Sequence, residues 1–317
     1  MKPQGLCDMT LGVEDQEALA ALEFRLRTVL PEEYQDCYED VLPVSMGSAG
    51  LKYGSDGKVA WNEMWATFCD LAMAGGPPHK GTLLEPGAHV EIDANRGRYQ
   101  DVVEEIVRGV RLVTGLAARA SRVPGWVRVE CHSDAMAGWL LRAIVMENVS
   151  ARCEGSALDL PAGPGYRVER EIKNVVTVIA KACHYWTGHM WRAQKREIAE
   201  LFVKMADGSP LVEPALAGDG VRGDSADNDE QISARMAEAI HETTGLTRSR
   251  HRYAGWLGLD CTSVGTAIWM MRALVASNIL SRREETTLFV PVNPATDATG
   301  DIVVRAVSRI HRLAEGR

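Results

Sequence analysis

Between Lys173 and His189 the chain carries its densest run of groups able to move protons or hold charge: Lys173, Thr177, Lys181, His184, Tyr185 and His189. Lys173, Thr177, Lys181 and His184 fall at i, i+4, i+8 and i+11, which on a helix is one face, opposite a stripe of Ile172, Val176 and Ile179. Two ammoniums and an imidazole in line suit a carboxylate or phosphate. Imidazole titrates near neutrality, which fits His184 or His189 to general acid–base work. The residue types therefore assign catalysis to His184, His189 and Lys181, and substrate binding to Lys173 and Thr177. The plainer alternative is the solvated face of an amphipathic helix.

Soft metal ligands lie in the same stretch and just before it. His184, His189, Cys183, Cys131 and His132 are the candidates for a transition metal ion, although none has a recognised zinc spacing. His184 and His189 are five apart, which on a regular helix sets them on different faces unless Gly188 breaks it. Cys131 and Cys261 each end a strand just before a serine-capped helix, where a helix N-terminus would lower a thiol pKa and make a nucleophile. The alternative is a small buried hydrophobe. His79 and Lys80 follow two prolines and form a second candidate substrate loop. Arg248, Arg250, His251 and Arg252 form a basic run, read as a solvated loop or a contact with an acidic partner or the chain's own acidic linker. GxGxxG, P-loop, HExxH and EF-hand patterns are absent.

The elements that must position these groups recur along the chain. Residues 125–164 align without a gap on 255–294, with fifteen of forty positions identical, against about two or three by chance at ordinary residue frequencies. Val127, Val129 and Cys131 alternate with Arg128 and Glu130, the pattern of a half-buried strand. Ser133 or Asp134 can cap a helix bearing Ala137, Leu140, Leu141, Ile144 and Val145, ended by Asn148. Strands over Val149–Cys153 and Ala157–Leu160 and a long helix from about Tyr166 complete a βαββα unit. A more divergent copy is expected over 43–115, with strands at Gly81–Leu84 and His89–Ile92 and a helix at Val102–Val113. Two tryptophan pairs recur between the closer copies, Trp126/Trp256 and Trp139/Trp269, which reads as packing.

The expected fold class is α+β: repeated βαββα units, two clear and a third more distant, packed pseudo-symmetrically with extra helices such as Glu17–Leu30 and Trp191–Met205. The expected divisions are 1–120, 121–205, an acidic linker with a short helix at 206–250, and 251–317. Residues 206–230 hold seven acids and one base without periodicity, which reads as a mobile linker.

The net charge of −8 argues against a nucleic-acid binder that works through bulk charge. No signal peptide or membrane span is expected, and seven scattered cysteines without CxxC suit a reducing cytoplasm. The function expected is a cytoplasmic small-molecule enzyme, its site at a unit interface in the second unit, acting on an anionic substrate with or without a metal. Its rival is a non-catalytic assembly or accessory protein that docks a protein partner or self-associates.

Overall fold

The computed structural model describes residues 12–38, 50–66, 81–215 and 225–316, the side chains of 225–228 excepted. The chain is α+β, with helices and two small antiparallel sheets. The first sheet contains β1 (Ala117–Ala120), β2 (Trp126–Glu130), β3 (Arg152–Glu154) and β4 (Ala157–Pro161) in the order β1-β2-β4-β3. The second contains β5 (Thr247–Arg248), β6 (Trp256–Asp260), β7 (Arg282–Glu284) and β8 (Thr287–Pro291) in the order β5-β6-β8-β7. In the first, Trp126 pairs with Pro161 and Arg152 with Asp159. In the second, Trp256 pairs with Pro291 and Arg282 with Phe289.

Each sheet forms for the reason its sequence suggests. Val127 and Val129 face the core fully buried, while Arg128 and Glu130, which alternate with them, stay half-exposed. The helix α5 (Asp134–Met146) starts where the Ser133 hydroxyl accepts from the Met136 N–H at 3.1 Å. Ser263 caps α9 (Val264–Val275) in the same way through Thr266, a bond worth about 1 kcal/mol in each case. Both helices stop at an asparagine with left-handed backbone, Asn148 at φ 59° and Asn278 at φ 65°. The carbonyl of Asn148 then accepts from Leu84, and that of Asn278 from Val212. Gly125 and Gly255, which open β2 and β6, have φ of 92° and 73°, a region closed to most other residues.

The remaining helices are α1 (Val13–Val29), α2 (Trp61–Ala66), α3 (His89–Ala94), α4 (Arg96–Thr114), α6 (Lys173–His184), α7 (Arg192–Gly208), α8 (Ser225–Thr244) and α10 (Asp301–Glu315). Two apolar cores result. One gathers α2, α4, α5 and α6 on the first sheet. The other gathers α8, α9 and α10 on the second, with Leu22, Leu26, Val29 and Leu30 from α1 and its end. The N-terminal arm touches both halves: Trp139 Nε1 donates to the Val29 carbonyl at 2.8 Å, and Arg272 donates to the carbonyls of Tyr34 and Cys37. No helix among the described residues is long and apolar enough to cross a membrane.

Several expectations are corrected. His89–Ile92 forms the helix α3 and not a strand, and Gly81–Leu84 contributes only a single parallel bridge, Leu84 to Val149. On that helix Val90 is 75% exposed and Ile92 5%. The strand expected from Val149 covers only Arg152–Glu154. The strands β1 and β5 were not expected at all. The acidic segment is helical from Ser225 onward, where Glu230 pairs with Arg248 and Arg252 of the basic run, each at 3.0 Å.

Candidate active site at the end of helix α6

The helix α6 does not end in an ordinary turn. Tyr185–His189 form a π-turn, closed by the Met190 N–H donating to the Tyr185 carbonyl at 3.1 Å. In a regular α-helix, residues five apart stand about 140° from one another around the axis. An i→i+5 turn brings them to the same side, and such turns recur at functional sites. His184 and His189 are thereby drawn together: their Nε2 atoms lie 3.0 Å apart and their ring centroids 4.8 Å. Gly188 does not have to break the helix for this to happen.

Glu33, in the short 3₁₀ turn Glu32–Tyr34 that follows α1 and Pro31, closes the far end. Its Oε1 pairs with His189 Nδ1. With Glu33 ionised, His189 Nδ1 is the donor, so the two Nε2 atoms share one proton between them. The Glu33 carboxyl lies below its ordinary value, held there by its own backbone N–H first and then, against some burial, by His189 and His184. Partial burial pushes the His184 pKa down, the neighbouring His189 pushes it the same way, and Glu33 opposes them. His184 is thus biased to the neutral imidazole, the form that accepts a proton.

Aromatic rings frame the couple. Trp65 stands edge-on to His184 at 5.7 Å between centroids, and Tyr185 lies 5.0 Å from His189. The Tyr185 hydroxyl meets that of Tyr34 at 3.0 Å. Burial raises both phenol pKa values, so the pair stays protonated at neutral pH.

The other residues singled out from the sequence lie elsewhere or are engaged. Lys181 is ion-paired with Glu147 at 2.8 Å. Thr177 is buried at 5% exposure, so the expected polar stripe is interrupted at that position. Lys173 is half-buried, and burial lowers its pKa against the pull of Glu169. It sits eleven residues before His184, about 16 Å along the helix at 1.5 Å per residue, too far to hold the same small molecule.

Of the two readings of Cys131 and Cys261, their burial fits the small buried hydrophobe and not the nucleophile. Both are 8% exposed, and burial pushes each thiol up to about 12. Cys183 is buried and its thiol is likewise pushed up. His132 is exposed. Among the described residues, no three of His, Cys, Asp or Glu converge where they could hold a metal. His79 and Lys80 lie outside the described residues.

Glu33, Tyr34 and Trp65 are the site residues that the sequence did not reveal. Glu33 is 156 positions from its partner His189, and nothing local marks it. Compared with known proteins, the chain matches no family model, no curated protein and no solved structure.

Proposed function

We propose that the chain is a small-molecule enzyme whose working centre is the Glu33–His189–His184 relay, and that its chemistry is proton transfer. The observation that carries this is the 3.0 Å Nε2–Nε2 contact, made by a π-turn and anchored by a carboxylate from a different element. In the tautomer with Glu33 ionised, His184 Nε2–H donates to His189 Nε2 and His184 Nδ1 is the base. A proton taken at Nδ1 leaves an imidazolium whose charge Glu33 favours. We infer a substrate chosen for a removable proton and not for negative charge, because Lys181 is neutralised by Glu147 and Lys173 is remote.

The two halves read best as copies of one unit. The support is that paired residues in the second sheet are those of the first plus 130, as Trp126/Pro161 and Trp256/Pro291 illustrate, with caps and left-handed asparagines at the same offset. The helices α4 and α8 also correspond, which extends the unit to αββαββα. Since Asn278 and Ala276 stand in the second half where Asn148 and Met146 stand in the first, the ends of α5 and α9 are alike, while the relay belongs to the first half alone.

A non-catalytic docking protein is the second reading. It is favoured by Phe24 at 68% and Val203 at 64% exposure, on α1 and α7, which pack on one another, and by Trp191 at 76% just before α7. Thermal unfolding of the purified chain against a panel of small metabolites separates the two. The enzyme reading predicts a specific upward shift that His184→Ala removes. Inertness to the whole panel, together with stoichiometric co-purification of another protein in native mass spectra, would favour docking.

A further inference from the structure

We propose that the same two histidines form a chelating site for a borderline divalent transition metal such as Cu(II), Ni(II) or Zn(II), the ion taking the place between the Nε2 atoms and the shared proton moving to His184 Nδ1. Two imidazole nitrogens bound to one metal at about 2.0–2.1 Å each, with an angle of 90–110° between the bonds, stand about 2.9–3.4 Å apart. The His184 and His189 Nε2 atoms are 3.0 Å apart. The separation that suits one shared proton therefore also suits one metal ion, without rebuilding the backbone.

The tautomer of His189 suits this. A metal on Nε2 requires the remaining proton on Nδ1, and His189 Nδ1 already faces the Glu33 carboxylate. A carboxylate behind a ligating histidine fixes its tautomer and raises its basicity. His184 and Glu33 are exposed and His189 is half-exposed, which leaves water access to the other coordination positions. Imidazole donors without thiolates select for copper, nickel and zinc over magnesium and calcium. Two protein ligands fall below the three-residue clusters that are absent among the described residues, so the site is an open, exchangeable one.

This inference rests on the reading that the histidine couple is the working centre, and it is tested apart from activity. The full chain is stripped with EDTA and titrated with CuCl2, NiCl2 and MgCl2 by calorimetry at pH 7.5, and the copper form is examined by electron paramagnetic resonance. The expected result is one copper per chain with two imidazole nitrogens in the hyperfine pattern, weaker nickel and no magnesium. Glu33→Gln should weaken copper about ten- to a hundredfold, as loss of a hydrogen-bonding partner behind a ligand does, and His184→Ala or His189→Ala at least as much. Equal copper binding by wild type and the His184→Ala/His189→Ala double variant, with both showing native circular dichroism, overturns the site. Absent copper binding overturns it too, and leaves the working-centre reading standing if the metabolite shift still depends on His184. Copper bound at the couple with no metabolite shift supports the metal site and counts against the enzyme.

Discussion

Arg282 offers a sharp test of how the two halves are held. Its side chain is fully buried, at 0% exposure. Nη1 donates to Glu284 Oε1 at 2.7 Å and, across to the first half, to Asn148 Oδ1 at 3.0 Å. The guanidinium lies over Phe289 at 4.0 Å, Tyr253 at 4.3 Å and Trp256 at 5.2 Å. Burial lowers its pKa, and Glu284 opposes the shift. Replacing Arg282 by alanine removes the cation beside the Glu284 carboxylate, which is 13% exposed and keeps only neutral partners such as the Tyr253 hydroxyl, and leaves Asn148 Oδ1 without this donor. Removing one partner of a buried pair costs about 3–5 kcal/mol. At a urea slope of about 3 kcal/mol per molar, the midpoint should fall by about 1–1.7 M. Arg282→Met combined with Glu284→Gln keeps volume and removes both charges, and should stay within about 1 kcal/mol of wild type. Urea unfolding followed by tryptophan fluorescence measures both. A single variant within about 0.3 M of wild type, or a double variant as unstable as the single, would refute the argument.

Two further outcomes are expected. Gly255→Ala should destabilise by about 2–4 kcal/mol, because a Cβ there would meet the Ala215 carbonyl oxygen at 2.5 Å in addition to the strain of φ 73°; a thermal midpoint within 2 °C of wild type would count against it. Cys131 and Cys261, with thiols near 12, should resist iodoacetamide at pH 7.5 in the folded chain and label fully in guanidinium, as read by peptide mass spectrometry.

Much of the scaffold was legible because its signals are local. Val127 and Val129 mark a strand by period two, and Ser133 and Ser263 mark helix starts by their hydroxyls. The strand β1, Ala-Ala-Arg-Ala, carries no β-branched or aromatic residue. It is extended because it pairs with β2, a tertiary demand that overrides weak propensity. His89–Ile92 alternates like a strand but is too short for period two to exclude a helical turn.

The site was half legible. His184 and His189 stood out by type, but a π-turn has no clear sequence signature, so their spacing argued against the contact they make. Thr177 and Lys181 matched a helical stripe, yet α6 is surrounded closely enough that one is buried and the other paired. Helical phase tells which residues share a face, not how much of that face neighbouring elements cover.

The proposed relay has His184 and His189 behaving as one proton-sharing couple anchored by Glu33. Long-range proton–nitrogen NMR of the imidazoles across pH 4–9 measures this directly. The account predicts that His184 titrates below the ordinary histidine value of about 6.5, that His189→Ala raises its midpoint, and that Glu33→Gln lowers it. Because the folded value is depressed, the stability His184 contributes is fully present above about pH 6.5 and is lost as pH falls through that folded value. A His184 midpoint at about 6.5 that neither His189→Ala nor Glu33→Gln moves would contradict the account.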